Sequence, residues 1–284
     1  MTGGFTELTR CGIIGWVKET HKMEDSEKIH IWDRFDKIVC MHYLPYKEER
    51  YGRLCEELKR VGILDCPQFE FEYTVPSPFY DYLRFPKGMK SEKLSKVAKP
   101  YAIQYYTMMK KHLMLGAERL LVLEDDLAFH KDLDFIKKII DATPQDWDIV
   151  NYDPFRRKGW LGNGKGFWGH YYDLNGNEVD KDWDGDLFVR YHSIVFRTSA
   201  VALTKRAMER YLSKMEECIM YADGYLWKDT GDLNTYCTTG TNSICIQNRY
   251  DTMITSGDDG SMEHIYKGYP VQDYNFYQTS KDNG

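Results

Sequence analysis

Glu124, Asp125 and Asp126 stand side by side directly after the apolar run Leu120-Leu121-Val122-Leu123. Three adjacent carboxylates repel one another. Gathering them at the mouth of a buried strand is costly unless a cation or strong hydrogen-bond donors compensate. Oxygen ligands of this kind suit Mg²⁺ or Mn²⁺. The plain alternative is a solvated turn whose carboxylates cap a helix starting near Asp132. The buried run in front of the triplet weighs against it, because open α/β sheets bind ligands just beyond the carboxyl ends of their strands. Two other patterns lead nowhere. The glycine-rich run from Gly159 to Gly169 lacks the Gly-Lys-Ser/Thr ending of a phosphate loop, and His192-Ser193 has no Gly-x-Ser-x-Gly elbow beside it.

The elements that must position the triplet alternate between strand and helix. Phe35 to Met41 is a short apolar run that reads as a first buried strand. A helix opens at Pro45, with Glu48 and Glu49 in its first turn and Lys59 and Arg60 in its last, and Gly62 closes it. Gln68 to Tyr73 alternates as a second strand, and Pro76 to Lys99 reads as a surface loop. Pro100 begins a helix that ends at Gly116, and Arg119 to Leu123 is a continuous apolar run typical of a central parallel strand. A helix from about Asp132 stops before Pro144, and Asp148 to Asn151 is the next strand. Beyond it, Asn151 to Trp183 is irregular and Leu187 to Arg197 reads as a long strand. Ser199 is read as capping a helix to about Met215, and Ser243 to Gln247 is a late strand. The expected class is α/β, with one continuous domain from residue 35 to 284 and a charged peripheral arm over residues 1–34.

Composition narrows the function classes. The 284 residues carry a net charge of -6, which argues against a nucleic-acid partner, since phosphate binding needs a visible basic excess. A single nucleotide stays open, because a bound divalent ion reverses the local sign. The seven cysteines have no close pair with zinc-ligand or redox spacing, which reads as free thiols in a reducing cytoplasm. No apolar run approaches the length of a transmembrane segment, and Met1 to Lys22 has no signal-peptide pattern. Aromatic residues reach 15%, with 22 Tyr and 7 Trp. Such rings suit the apolar C–H faces of sugars, although core packing uses them as well.

Leu121-Val122-Leu123-Glu124-Asp125-Asp126, preceded by the helix from Pro100 and by Gly116-Ala117-Glu118-Arg119, resembles the central motif of glycosyltransferase family 25. That family includes lipopolysaccharide and collagen-type galactosyltransferases. Further blocks are similar in the same order: Ile38 to Arg53, Trp147 to Val150, His192 to Leu203 and Ala222 to Trp227. The resemblance implies a GT-A fold, a single Rossmann-like nucleotide-sugar-binding domain with a mixed central sheet and an irregular acceptor-side region. It also implies a UDP-sugar donor (UDP-galactose or UDP-glucose), a Mn²⁺ or Mg²⁺ ion and a carbohydrate or glycoconjugate acceptor. Where the family commonly has an arginine before the first helix, this chain has Tyr46, while Arg50 is kept.

By the same resemblance, Glu124 and Asp126 have Asp-x-Asp spacing. Asp126 would be a metal ligand, and Glu124 or Asp125 would hold ribose or a metal-bound water. Arg50 would lie at the donor edge, and His264 would be a second metal ligand from the C-terminal region. An inverting transfer needs a base for the acceptor hydroxyl. Asp223, before Gly224-Tyr225-Leu226-Trp227, is the candidate, with Asp229 and Asp232 in reserve. Asp153, Trp160, Trp168, Tyr171 and Trp227 are candidates for the acceptor side, with His170 and Tyr172 beside them. Two other readings compete: a metal-dependent nucleotidyl- or phosphotransferase, and a glycan-binding protein of the same fold without turnover.

Overall fold

The computed structural model describes residues 28, 30–43, 48–74, 90–91, 98–154, 170–180, 183–192, 198–219, 231–239 and 242–247. Strand β1 (Lys37–Tyr43) leads to helix α1 (Glu48–Arg60) and strand β2 (Phe69–Thr74). Strand β3 (Lys90–Ser91) precedes helix α2 (Ala98–Met114), and β4 (Arg119–Glu124) is followed at once by β5 (Leu127–Phe129). Helix α3 (Leu133–Asp141) and strand β6 (Ile149–Asn151) follow, then β7 (His170–Tyr172), β8 (Glu178–Val179) and β9 (Phe188–His192). The chain continues with β10 (Ala200–Thr204), α4 (Lys205–Glu217), β11 (Cys218–Ile219), β12 (Thr235–Thr238) and β13 (Cys245–Gln247).

Among the described residues, nine strands form one mixed sheet in the order β2-β1-β4-β10-β6-β12-β9-β7-β8. β1 pairs in parallel with both β2 and β4, whereas β10 runs antiparallel between β4 and β6. Small pairs β11–β3 and β13–β5 lie outside it. The pleat sends alternate residues to opposite faces. Val39, Met41, Leu120, Val122, Val201 and Leu203 join one core, which α2 and α4 cover with Tyr105, Met108, Met109, Met208 and Tyr211. Ile38, Cys40, Leu121, Leu123, Ala200 and Ala202 join the other, covered by Leu54 and Leu58 of α1 and by Ile136, Ile139 and Ile140 of α3. Both faces of the central strands are therefore dry, which is why those strands read as unbroken apolar runs.

The structure corrects the reading of the second half. Ser199 does not cap a helix; Ala200–Thr204 is a buried strand, and the helix starts at Lys205. A short run of small and β-branched residues buried on both faces has no periodicity to separate strand from helix. With β10 inserted beside it, β4 has a parallel neighbour on one side only. β5 and β12 give no sequence signal because each is only three or four residues long. The strand expected over Leu187 to Arg197 is described as Phe188–His192. Helix α3 does begin where expected: Asp132 is its N-cap and accepts from the backbone N–H groups of Asp134 and Phe135. Ile31 and Trp32, within the stretch read as an arm, are buried, and Trp32 Nε1 donates to the Val61 carbonyl at 2.8 Å.

Candidate active site

Strand order places a crevice. β2 lies on one side of β1 and β4 on the other, so the carboxyl ends of β1 and β4 flank a topological switch point, where open α/β sheets bind ligands. Met41 of β1 is in register with Glu124 of β4, so His42 and the acidic triplet emerge at one level. Asp125 and Asp126 form the turn between β4 and β5. That turn is fixed at its far end, because β5 pairs with β13 and is tied to α1: the Phe129 N–H donates to Glu57, and Arg60 donates to the Phe129 carbonyl.

The three carboxylates face different partners. The hydroxyls of Tyr101, at 2.7 Å, and Thr198 both donate to Glu124 Oε1, which leaves the lone pairs of Oε2 for another donor or a cation. Burial, followed by the charge of Asp126, pushes the Glu124 carboxyl up to about 8, against the pull of those two hydrogen bonds. Burial and the Glu124 charge hold the Tyr101 phenol well above its ordinary range, so it stays a donor. Asp125 turns instead toward β1, where His42 Nδ1 lies 2.8 Å from Asp125 Oδ2. His42 is buried among the rings of Tyr51, Phe71 and Tyr73, with centroids 5.1, 6.4 and 6.1 Å away. Asp126 is buried in the turn itself at 7% exposure. Beneath them, burial and then the Asp125 charge push the Cys40 thiol well up, so it is no nucleophile.

Among the described residues, the only three side chains whose ligand atoms all lie within 4.8 Å of one another are Glu70, Glu72 and His112. The triplet therefore does not close on an ion by itself. Asp125 is engaged by His42, and Glu124 by Tyr101 and Thr198. One or two carboxylates completed by substrate phosphates is the usual arrangement for Mg²⁺.

The remaining sequence candidates are scattered. Asp153 follows β6, is 1% exposed, and its N–H donates to Asn151 Oδ1. Tyr171 of β7 is packed in the core at 2% exposure. Asp232 is exposed and ion-paired with Arg206, and His170 is exposed and contacts Glu178. Arg50 lies in the first turn of α1, but its side chain is outside the described residues. Asp223, Asp229, His264, Trp160, Trp168 and Trp227 also lie outside them. Sequence reasoning missed His42, Tyr101 and Thr198. His42, a polar residue ending an apolar strand, carried a signal once β1 was placed beside the triplet. The other two come from distant parts of the chain and meet Glu124 only through the fold.

No protein-family model matches the chain, and no curated protein matches it by sequence. Solved structures do. One is a glycosyltransferase involved in the glycosylation of the major capsid of PBCV-1, at 12% identity and TM-score 0.42, covering 81% of this chain and 99% of that one. A mannose-1-phosphate geranyltransferase from Thermus thermophilus matches at 15% identity and TM-score 0.36, over 72% of this chain and 73% of that one. UDP-glucose pyrophosphorylase complexed with UDP-glucose matches at 9% identity and TM-score 0.36, over 75% and 77%. None reaches a TM-score of 0.5, so the functional reading rests on the site itself.

Proposed function

We propose that the chain is a glycosyltransferase of GT-A type that moves a hexose from a UDP-sugar to a glycan hydroxyl, with a divalent metal at Glu124 and Asp126. The observation that carries this reading is the state of Glu124. At the switch point of the sheet its Oε1 is held by the Tyr101 and Thr198 hydroxyls beside the buried Asp126. Burial with the Asp126 charge raises its affinity for a proton, an arrangement that suits a cation. The family 25 resemblance of the surrounding blocks supports the same reading.

When bound, Mn²⁺ or Mg²⁺ supplies the charge that offsets a departing diphosphate. The chain's own residues do the rest. Tyr101 and Thr198 fix the Glu124 carboxyl through Oε1, so that Oε2 faces the metal once the proton is released. His42 holds Asp125 in one orientation, suited to accept from a ribose hydroxyl. The rings of Tyr51, Phe71 and Tyr73 form an apolar wall beside the same corner. The proton of the acceptor hydroxyl goes to Asp223 in this reading.

The test is hydrolysis of UDP-galactose and UDP-glucose, with Mn²⁺ and after chelation, alongside thermal stabilisation by UDP. Metal-dependent release of UDP that Asp126→Asn reduces by about 10²-fold or more supports the reading. If no UDP-sugar is turned over or stabilises the fold in a metal-dependent way, the reading fails. Pyrophosphate-dependent formation of UTP from the same sugars would mark a nucleotidyltransferase instead.

A further inference from the structure

A second set of ligand-type side chains lies where α2 crosses the edge strand β2, two strands across the sheet from Glu124: Glu72, Met41 and Glu124 are in register. Glu70 and Glu72, two residues apart on β2, put their carboxylates on one face. Helix α2 lies over that face: Gln104 Nε2 donates to the Glu72 carbonyl at 3.1 Å, and the following turns bring Lys111 and His112 down onto the two glutamates. Lys111 Nζ donates to Glu70 Oε1 at 2.6 Å and to Glu72 Oε2 at 2.9 Å. An ammonium group thus sits between the two carboxylates.

His112 is the unusual member. Its side chain is fully buried, and neither ring nitrogen makes a hydrogen bond. Leaving both nitrogens of a buried imidazole without a hydrogen bond is costly, and such groups require an explanation. Nε2 faces the glutamates, 3.1 Å from Glu70 Oε1, without hydrogen-bond geometry. That separation is close to the spacing of about 3.4 Å between two ligands of one tetrahedral zinc ion, given bonds of about 2.1 Å. One atom from each of Glu70, Glu72 and His112 lies within 4.8 Å of the other two.

We propose that Glu70, Glu72 and His112 bind a transition-metal dication, zinc by the chemistry of the donors, in exchange for the Lys111 ammonium. One imidazole nitrogen with two carboxylate oxygens is a zinc-type set, whereas Mg²⁺ and Ca²⁺ favour oxygen throughout. The exchange balances charge, because two carboxylates meet two positive charges once the lysine has left. Lys111 is able to leave: its side chain is 40% exposed, and its flexible stem lets the ammonium swing into water. The ion would staple α2 to the edge of the sheet, with water as the fourth ligand. Its three ligands are not those proposed at the triplet, and the inference does not rest on that reading.

The experiment uses the full chain, stripped with a chelator and titrated with Zn²⁺ against a chromophoric competitor, without nucleotide. Co²⁺ absorption then reports the coordination geometry. The wild type should take one zinc that Asp126→Asn leaves in place. Glu72→Gln, at a part-exposed position, should weaken binding by about tenfold or more. Lys111→Met keeps all three ligands, removes the competing ammonium and should tighten binding by about as much. The proposal is overturned if the wild type binds no zinc, or if binding is the same in Glu72→Gln or in Lys111→Met. Such a result would leave an ion-pair network here and would not touch the UDP-sugar reading, whose test uses Mn²⁺ and Asp126→Asn.

Discussion

His42 and Asp125 meet across the switch point of the sheet, Nδ1 to Oδ2 at 2.8 Å, one from the end of β1 and the other from just past the end of β4. Their side chains are 4% and 11% exposed, so the contact is shielded from water and worth more than a surface pair. It also divides the triplet. Asp125 is held toward β1, while Glu124 is held toward α2 by Tyr101 and toward the start of β10 by Thr198. Adjacent residues of one turn are thereby given different tasks.

That division predicts the effect of His42→Ala. Asp125 would lose the group that orients it, and a hydrogen bond to a charged group is worth about 1.5–3 kcal/mol. Affinity for UDP in the presence of Mn²⁺ should fall by about 10–100-fold, read by calorimetry. Mn²⁺ binding alone should change much less. Equal losses in both would show that His42 serves the whole corner rather than Asp125.

Tyr101→Phe probes the other arm. The phenol is lost from Glu124 Oε1 while Thr198 remains, so the carboxylate is held by one donor instead of two. Mn²⁺ affinity should drop by about 3–10-fold, as for one hydrogen bond of about 1 kcal/mol. An unchanged affinity in Mn²⁺ titration would remove Tyr101 from the site.

How much of this is legible in the sequence follows from where the information lies. Leu120 to Leu123 announces a strand dry on both faces, and the three carboxylates after it mark where that strand ends, because both signals are local. Ala200–Thr204 passes for helix because a five-residue buried strand has too short a pattern to reveal its period. Without that strand, Thr198 has no route to Glu124, and the antiparallel neighbour of β4 is invisible. Tyr101 stands 23 residues before Glu124 and looks like one more aromatic of a helix; only the packing of α2 beside β4 makes it a donor to Glu124.

Asp148 gives a prediction about the fold. It is buried, and its carboxylate accepts from Thr204 at 3.1 Å, from Arg206 at 3.0 Å and from the Asn234 N–H at 2.9 Å. These bonds knot the start of β6 to the junction of β10 with α4 and to the approach of β12. Asp148→Ala leaves the Asn234 N–H and the Arg206 charge without that acceptor. It should cost about 3 kcal/mol in urea unfolding, well above an exposed ion pair. A loss below about 1 kcal/mol would mean the knot is redundant.

Glu124→Gln should raise stability and abolish metal response together. Burial and the Asp126 charge push the folded carboxyl up to about 8, against an ordinary value of 4.5. Below 4.5 both folded and unfolded chains carry the proton, and the group costs nothing. As pH rises from 4.5 toward 8 the unfolded chain releases the proton while the folded one keeps it, so stability falls through that window and then levels off. A bound dication removes the penalty by favouring the ionised form. The amide that replaces the carboxyl has no proton to lose, and its oxygen still accepts from Tyr101 and Thr198. In metal-free buffer at about pH 8 the variant should melt higher than wild type, by on the order of 5 °C, with the difference vanishing near pH 4.5. Added Mn²⁺ should stabilise the wild type and leave the variant unmoved. A variant that melts lower at that pH, or still responds to Mn²⁺, would show that the strain at Glu124 is not what the site uses to take up charge.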